Sequence, residues 1–172
     1  MELINSNVMS KGEDFVYNEE TIVSFSTENA SNINLSEIWN KSGIWITYGK
    51  TEENADYTCL EVGQTTNIKN ELESDFKLII SDCCENGIKV RCFRREWSKP
   101  FLKRKGETRQ SAKWRDIANS YNHICIKYVR NSEEWNLQKR IEEEINIAIN
   151  LHAIYFYPDN TKRQCSFIRQ CD

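Results

Sequence analysis

Residues 43–72 read GIWITYGKTEENADYTCLEVGQTTNIKNEL, and the order of patterns inside them decides the fold. Gly43-Ile44-Trp45-Ile46-Thr47 and Cys59-Leu60-Glu61-Val62-Gly63 are short apolar, β-branched runs, each of strand length. The polar stretch from Gly49 to Asp56 joins them as a hairpin loop. Thr66-Asn67 then opens a helix, since Ile68, Leu72, Phe76 and Ile79 recur at the spacing of one apolar helical face. Asn86-Gly87 marks the turn before which that helix is expected to stop.

Further along, Ile88 to Phe93 reads as a strand. Pro100 and Gly106 argue for a loop or broken helix across residues 94–115, and a short helix is expected from Lys113 to Ser120. His123 to Val129 is an alternating strand. Ser132 is expected to cap a helix from about Glu133 to about Leu151, with Glu133 and Glu134 favouring the positive end of its dipole. Tyr155 to Tyr157 form one more short apolar run. Upstream, Asp14–Tyr17 and Thr21–Phe25 read as short strands and Leu35–Asn40 as a short helix.

The order strand, hairpin, strand, helix opening on Gln64-Thr65-Thr66-Asn67-Ile68, then strand and helix, resembles the GIY-YIG nuclease domain. The resemblance covers roughly residues 40–160, and its most specific piece is Glu61-Val62-Gly63-Gln64-Thr65-Thr66-Asn67-Ile68. It implies an α/β fold, a small mixed β-sheet flanked by helices, with an N-terminal arm over 1–40, a GIY-YIG-like domain over 41–160 carrying a basic insertion at 89–115, and a tail over 161–172.

It also implies a site. A hard divalent cation needs a carboxylate, and a phosphoryl transition state needs positive charge. The resemblance gives the metal, Mg2+, to a glutamate of the late helix. Glu144 takes that position, on the stripe of Leu137, Ile141, Ile145, Ala148 and Leu151. The strand tyrosines of the family pattern are Trp45 and Glu61 here, and the first-helix arginine is Glu71. Tyr48 is expected on the sheet face opposite Trp45, and Tyr57 on the face of Glu61, about 13 Å away along the strand. These departures leave two readings open. One is a nucleic-acid-binding protein, a metal-dependent DNA endonuclease with an altered site if active. The other is a catalytically inactive inhibitor or immunity-type protein that sets its acidic half against a nucleic-acid-handling partner.

The charge distribution bears on both. The 172 residues carry a net −3, split as −11 over residues 1–88, +9 over 89–115 and −1 over 116–172. In the basic block, Arg91, Arg94, Arg95, Lys99, Lys103, Arg104, Lys105, Arg109, Lys113 and Arg115, with Trp97 among them, suit phosphate contact and base stacking. The same cations could instead pair with the acidic half of the chain.

Seven cysteines without a Cys-x-x-Cys pair, and two histidines at no ligand spacing, argue for free thiols over a zinc site. Cys83-Cys84 reads as a buried or partly buried thiol pair outside redox chemistry. No apolar run reaches the roughly 18 residues of a membrane span, and the N-terminus lacks the basic-then-apolar pattern of a signal peptide. The expected place is the cytoplasm.

Overall fold

The computed structural model describes residues 17–90 and 96–156. A four-stranded sheet runs through it, with β1 (Glu19–Ser26), β2 (Gly43–Lys50), β3 (Thr58–Thr65) and β6 (His123–Val129) in the order β1-β6-β2-β3. All three pairings are antiparallel, which corrects the expected mixed sheet. The strand after the basic segment returns beside β2 in the opposite sense. The N-terminal strand then adds to its far side, pairing Glu19 with Val129 and Ser26 with His123. A separate two-stranded ladder joins β4 (Ile88–Val90) to β5 (Phe101–Lys103). Gly87 stands just before β4, where a Cβ would lie 2.7 Å from the carbonyl oxygen of Lys103.

Each face of the main sheet has its own core. On one, Trp45, Leu60, Ile124, Ile126 and Tyr128 meet helix α1 (Ile68–Phe76) and helix α2 (Arg109–Ser120). On the other, Ile44, Ile46, Tyr48, Cys59, Val62, Cys125 and Val129 meet helix α3 (Leu137–Asn150). Strand alternation sorts the residues, and Tyr48 does lie opposite Trp45. One irregularity breaks the alternation. The β2–β3 register shifts between Thr47 and Tyr48, pairing Thr47 with Glu61 and Tyr48 with Cys59. Leu60 is the extra residue of a bulge, so Leu60 and Glu61 both turn to the α1/α2 face while Cys59 goes to the other. Tyr57 consequently packs with the α3 core, against the expectation that it shares a face with Glu61.

The helices differ from expectation at their ends. Asn67 caps α1, its side chain accepting from the Asn70 N–H at 2.9 Å, as its position predicts. The helix stops at Phe76, before Asn86-Gly87 as expected, but short of Ile79, which its apolar spacing includes. Leu78 and Ile79 donate to Asp75 and Phe76 in i→i+3 bonds that tighten the last turn, yet both still pack on the core. Helix α2 begins four residues before the expected Lys113, because Thr108 accepts from the Ser111 N–H and starts the helix just past Gly106, which sits at φ 83°. Helix α3 begins later than expected. The Ser132 hydroxyl accepts from the Ile44 N–H at 2.9 Å, pinning strand β2, and Ser132 opens only one 3-10 turn. Asn136 is the cap of α3, accepting from the Lys139 N–H. Leu137 is 48% exposed, so the buried stripe of α3 is Ile141, Ile145, Ile147 and Ala148. Of the run at Tyr155 to Tyr157, Tyr157 lies outside the described residues; the Ile154 and Tyr155 N–H groups donate to the Cys59 and Leu60 carbonyls and cover that stretch of the β3 edge. No helix among the described residues is long and apolar enough to cross a membrane.

Candidate functional site

The bulge in β3 has a chemical consequence. It aims Glu61 at α2, where the Lys113 side chain is wholly buried and its Nζ donates to the Glu61 carboxylate. Two further carboxylates join from α1. Glu71 and Asp75 stand four residues apart, hence on one side of the helix, and both lie in the field of Lys113. Asp75 is 5% exposed and accepts from the Gln110 side chain at 2.9 Å. One ammonium from α2 therefore bonds one carboxylate of β3 and lies in the field of two more from α1.

Burial decides how this cluster titrates. It pushes the Glu61 carboxyl up to about 7, with Lys113 opposing the rise and the charges of Asp75 and Glu71 adding to it. Burial also raises Glu71, against a hydrogen bond from Thr65 and the pull of Lys113. Asp75 is raised by burial too, against Lys113, Gln110 and Trp114. A buried group of three anions and one cation relieves its excess negative charge by holding a proton, and Glu61 does so near neutrality.

The other expected site residues are dispersed. Trp45 lies on the α1/α2 face, 1% exposed, its six-membered ring against Gly63 so closely that a Cβ on Gly63 would come within 2.3 Å. Glu144 sits half-buried on α3, across the sheet from Trp45, Glu61 and Glu71. The resemblance asks for Mg2+ on Glu144 beside those positions. The sheet separates them, and no group of three or more His, Cys, Asp or Glu among the described residues is arranged to hold a metal ion. The described residues do not fit the cation, and no chemical step is assigned to it.

Most of the described basic block is paired within the chain, though only Lys113 and Arg115 are buried. Lys99 pairs with Asp116 at 3.0 Å and donates to the Ser120 hydroxyl. Arg104 grips Asp82 with two bonds of 2.8 and 2.6 Å. Arg115, 3% exposed, pairs with Glu107 and donates to the Leu102 carbonyl. Lys103 is half-buried and reaches the Arg104 carbonyl at 3.4 Å. Trp97 stacks on His152 with ring centres 4.3 Å apart. Lys105 and Arg109 are exposed. Arg91, Arg94 and Arg95 lie outside the described residues.

Reading the chain alone misses Asp75 and Gln110 and gives Lys113 to a phosphate. The signal was there. Asp75 falls between Leu72 and Phe76 on the apolar stripe of α1, and Lys113 lies between Ala112 and Trp114, so each is a charge set among buried residues. No protein-family model matches the chain, no curated protein matches it, and no solved structure matches it.

Proposed function

We propose that this chain is a binding protein on a GIY-YIG-like scaffold, with the phosphate-facing positions of that scaffold rebuilt into an internal carboxylate–lysine clamp. One observation carries the reading. The positions that the resemblance gives to the second tyrosine and the helix arginine are Glu61 and Glu71, and the cation between them, Lys113, is fully buried and engaged. A phosphate approaching these groups meets carboxylates first, and the compensating charge is already committed. The partner this favours is a protein with a basic, nucleic-acid-binding surface. The exposed carboxylates of Glu52, Glu53 and Asp56, at the tip of the β2–β3 hairpin, offer it charges in place of phosphates. A second reading, direct DNA binding, draws on the exposed Lys105 and Arg109.

The test is incubation with supercoiled plasmid and Mg2+ or Mn2+, beside Glu144→Gln, followed by DNA affinity measured across a salt series. The expected result is no cutting by either protein and little affinity at physiological salt. Cutting by the wild type that Glu144→Gln abolishes would overturn the reading in favour of an endonuclease. Salt-dependent affinity whose slope falls in Lys105→Ala/Arg109→Ala would select DNA binding.

A further inference from the structure

The α1–β4 connection holds a site that the clamp does not use. Cys83 and Cys84 are free thiols, the first exposed and the second half-buried. With Glu85, Asn86 and Arg104 they line a surface pocket of about 440 Å3. Cys84 is partly buried as the chain leads one to expect, and Cys83 is more exposed than expected.

Arg104 is fixed against the thiol pair from β5's end. Its guanidinium holds Asp82 with two bonds, donates to the Cys83 carbonyl at 2.5 Å and interacts with the Cys84 side chain. Arg115 adds a second positive charge that Cys84 feels. The Cys84 thiol donates to the Asn86 carbonyl at 3.0 Å, which holds its sulfur at the pocket wall. The loop itself is anchored to α2, since the Asn119 side chain donates to the Asp82 carbonyl. The thiolate is the nucleophile, and the pocket leaves these two sulfurs open to a small oxidant. The contrast is internal to this chain, because Cys59 and Cys125 are buried and burial pushes both thiols up.

We propose that Cys83-Cys84 is a reversible oxidation site for small hydroperoxides, with Cys84 the attacking thiol and Cys83 the resolving one. The Cys84 thiolate attacks one peroxide oxygen and the O–O bond breaks. The sulfur gains that oxygen as a sulfenic acid, and the departing hydroxide or alkoxide takes a proton. The Cys83 thiol then attacks the Cys84 sulfur, the S–O bond breaks, and water leaves with the Cys83 proton. Two thiols are oxidised by two electrons and one peroxide is reduced. The bond so formed joins adjacent residues. Their Cα atoms are held about 3.8 Å apart by a trans peptide, below the usual disulfide span of roughly 4.4–6.8 Å. A bond closed under that constraint is easily reduced, which suits a reversible mark.

The experiment treats the full-length chain with graded hydrogen peroxide, with and without a sulfenic-acid trap, and maps the peptides by mass spectrometry. The expected product is a peptide with Cys83 and Cys84 linked, returned to two thiols by dithiothreitol, while Cys59 and Cys125 stay unmodified. In Cys83→Ser, the sulfenic acid on Cys84 should persist and take the trap. Arg104→Gln should slow Cys84 oxidation about tenfold, and Asp82→Asn, which leaves the guanidinium to the thiols, should speed it. Trap labelling of Cys84 no greater than of Cys125, or no 83–84 linkage at any peroxide concentration that leaves the fold intact, would overturn the proposal. So would identical oxidation rates in Arg104→Gln and wild type.

Discussion

The two faces of the sheet solve the same packing problem with different chemistry. The α3 face is filled by Ile44, Ile46, Val62, Ile141, Ile145 and Ala148, with thiols and the Tyr48 ring among them. The α1/α2 face has more large apolar side chains, and it also buries Lys113, Asp75 and Arg115, whereas the one charge buried on α3, Arg140, donates to the Trp135 carbonyl. A face of aliphatic atoms gains stability roughly in proportion to area and is indifferent to pH. A face that buries charge is stable only while every charge keeps its partner, and its stability follows the protons. The residues that depart from the GIY-YIG pattern, Trp45, Glu61 and Glu71, belong to the second kind of face, while Glu144 sits on the first.

Removing the buried cation should therefore give the largest effect. Lys113→Met leaves three carboxylates without their ammonium, and a loss of about 3–5 kcal/mol in denaturant unfolding is expected. Adding Glu61→Gln to that variant should restore a good part of it. On the other face, Ile145→Ala should cost about 2–4 kcal/mol through its cavity, by the same amount at pH 5 and pH 8. A Lys113→Met loss that showed no pH dependence and no rescue by Glu61→Gln would break the comparison.

The next effect is the pH profile itself. Glu61, Glu71 and Asp75 all have folded-state values above their ordinary ones, so the folded chain binds more protons than the unfolded one between about pH 4 and 7. Their contribution is fully present below the unfolded values and is lost as pH rises through the folded ones. Stability should fall from about pH 4.5 to about pH 7, and Glu61→Gln should flatten most of that slope. Asp82 and Glu107 act in the opposite sense. Their arginine partners hold both low, so what they add is lost on acidification below about pH 4. Thermal melts every half unit of pH should show a maximum between the two windows. A profile rising steadily through pH 7 would contradict the clamp.

The smallest effect is a control on which the two faces should agree. Asn67 caps α1 and Asn136 caps α3 by the same bond, side chain to the N–H three residues on. Either Asn→Ala change should cost about 1 kcal/mol and carry no pH dependence. A clearly larger loss at Asn67, whose side chain also donates to Asn40 at 3.0 Å, would sharpen the comparison by showing that α1 depends on its neighbours more than α3 does.

Much of this molecule was legible in the chain. Alternation in residues 43–63 and 123–129, the cap at Asn67 and the spacing of Ile68, Leu72 and Phe76 are local signals, set by backbone sterics and the burial of one face of each element. They determined the strands, the first helix and the separation of Trp45 from Tyr48. What only the tertiary structure decided turns on single long-range contacts. One inserted residue at Leu60 sends Glu61 to α2 and Tyr57 to α3. The bond from the Ile44 N–H to Ser132 sets where α3 can begin. Acidic partners turn Lys113, Arg115, Arg104 and Lys99 from an apparent phosphate-binding block into ion pairs within the chain, two buried and two at the surface. A charge in a sequence carries its sign but not its surroundings. Whether it meets water, a phosphate or a carboxylate depends on which residues the fold packs against it, and here β3, α1 and α2 close on Lys113 from three separate parts of the chain.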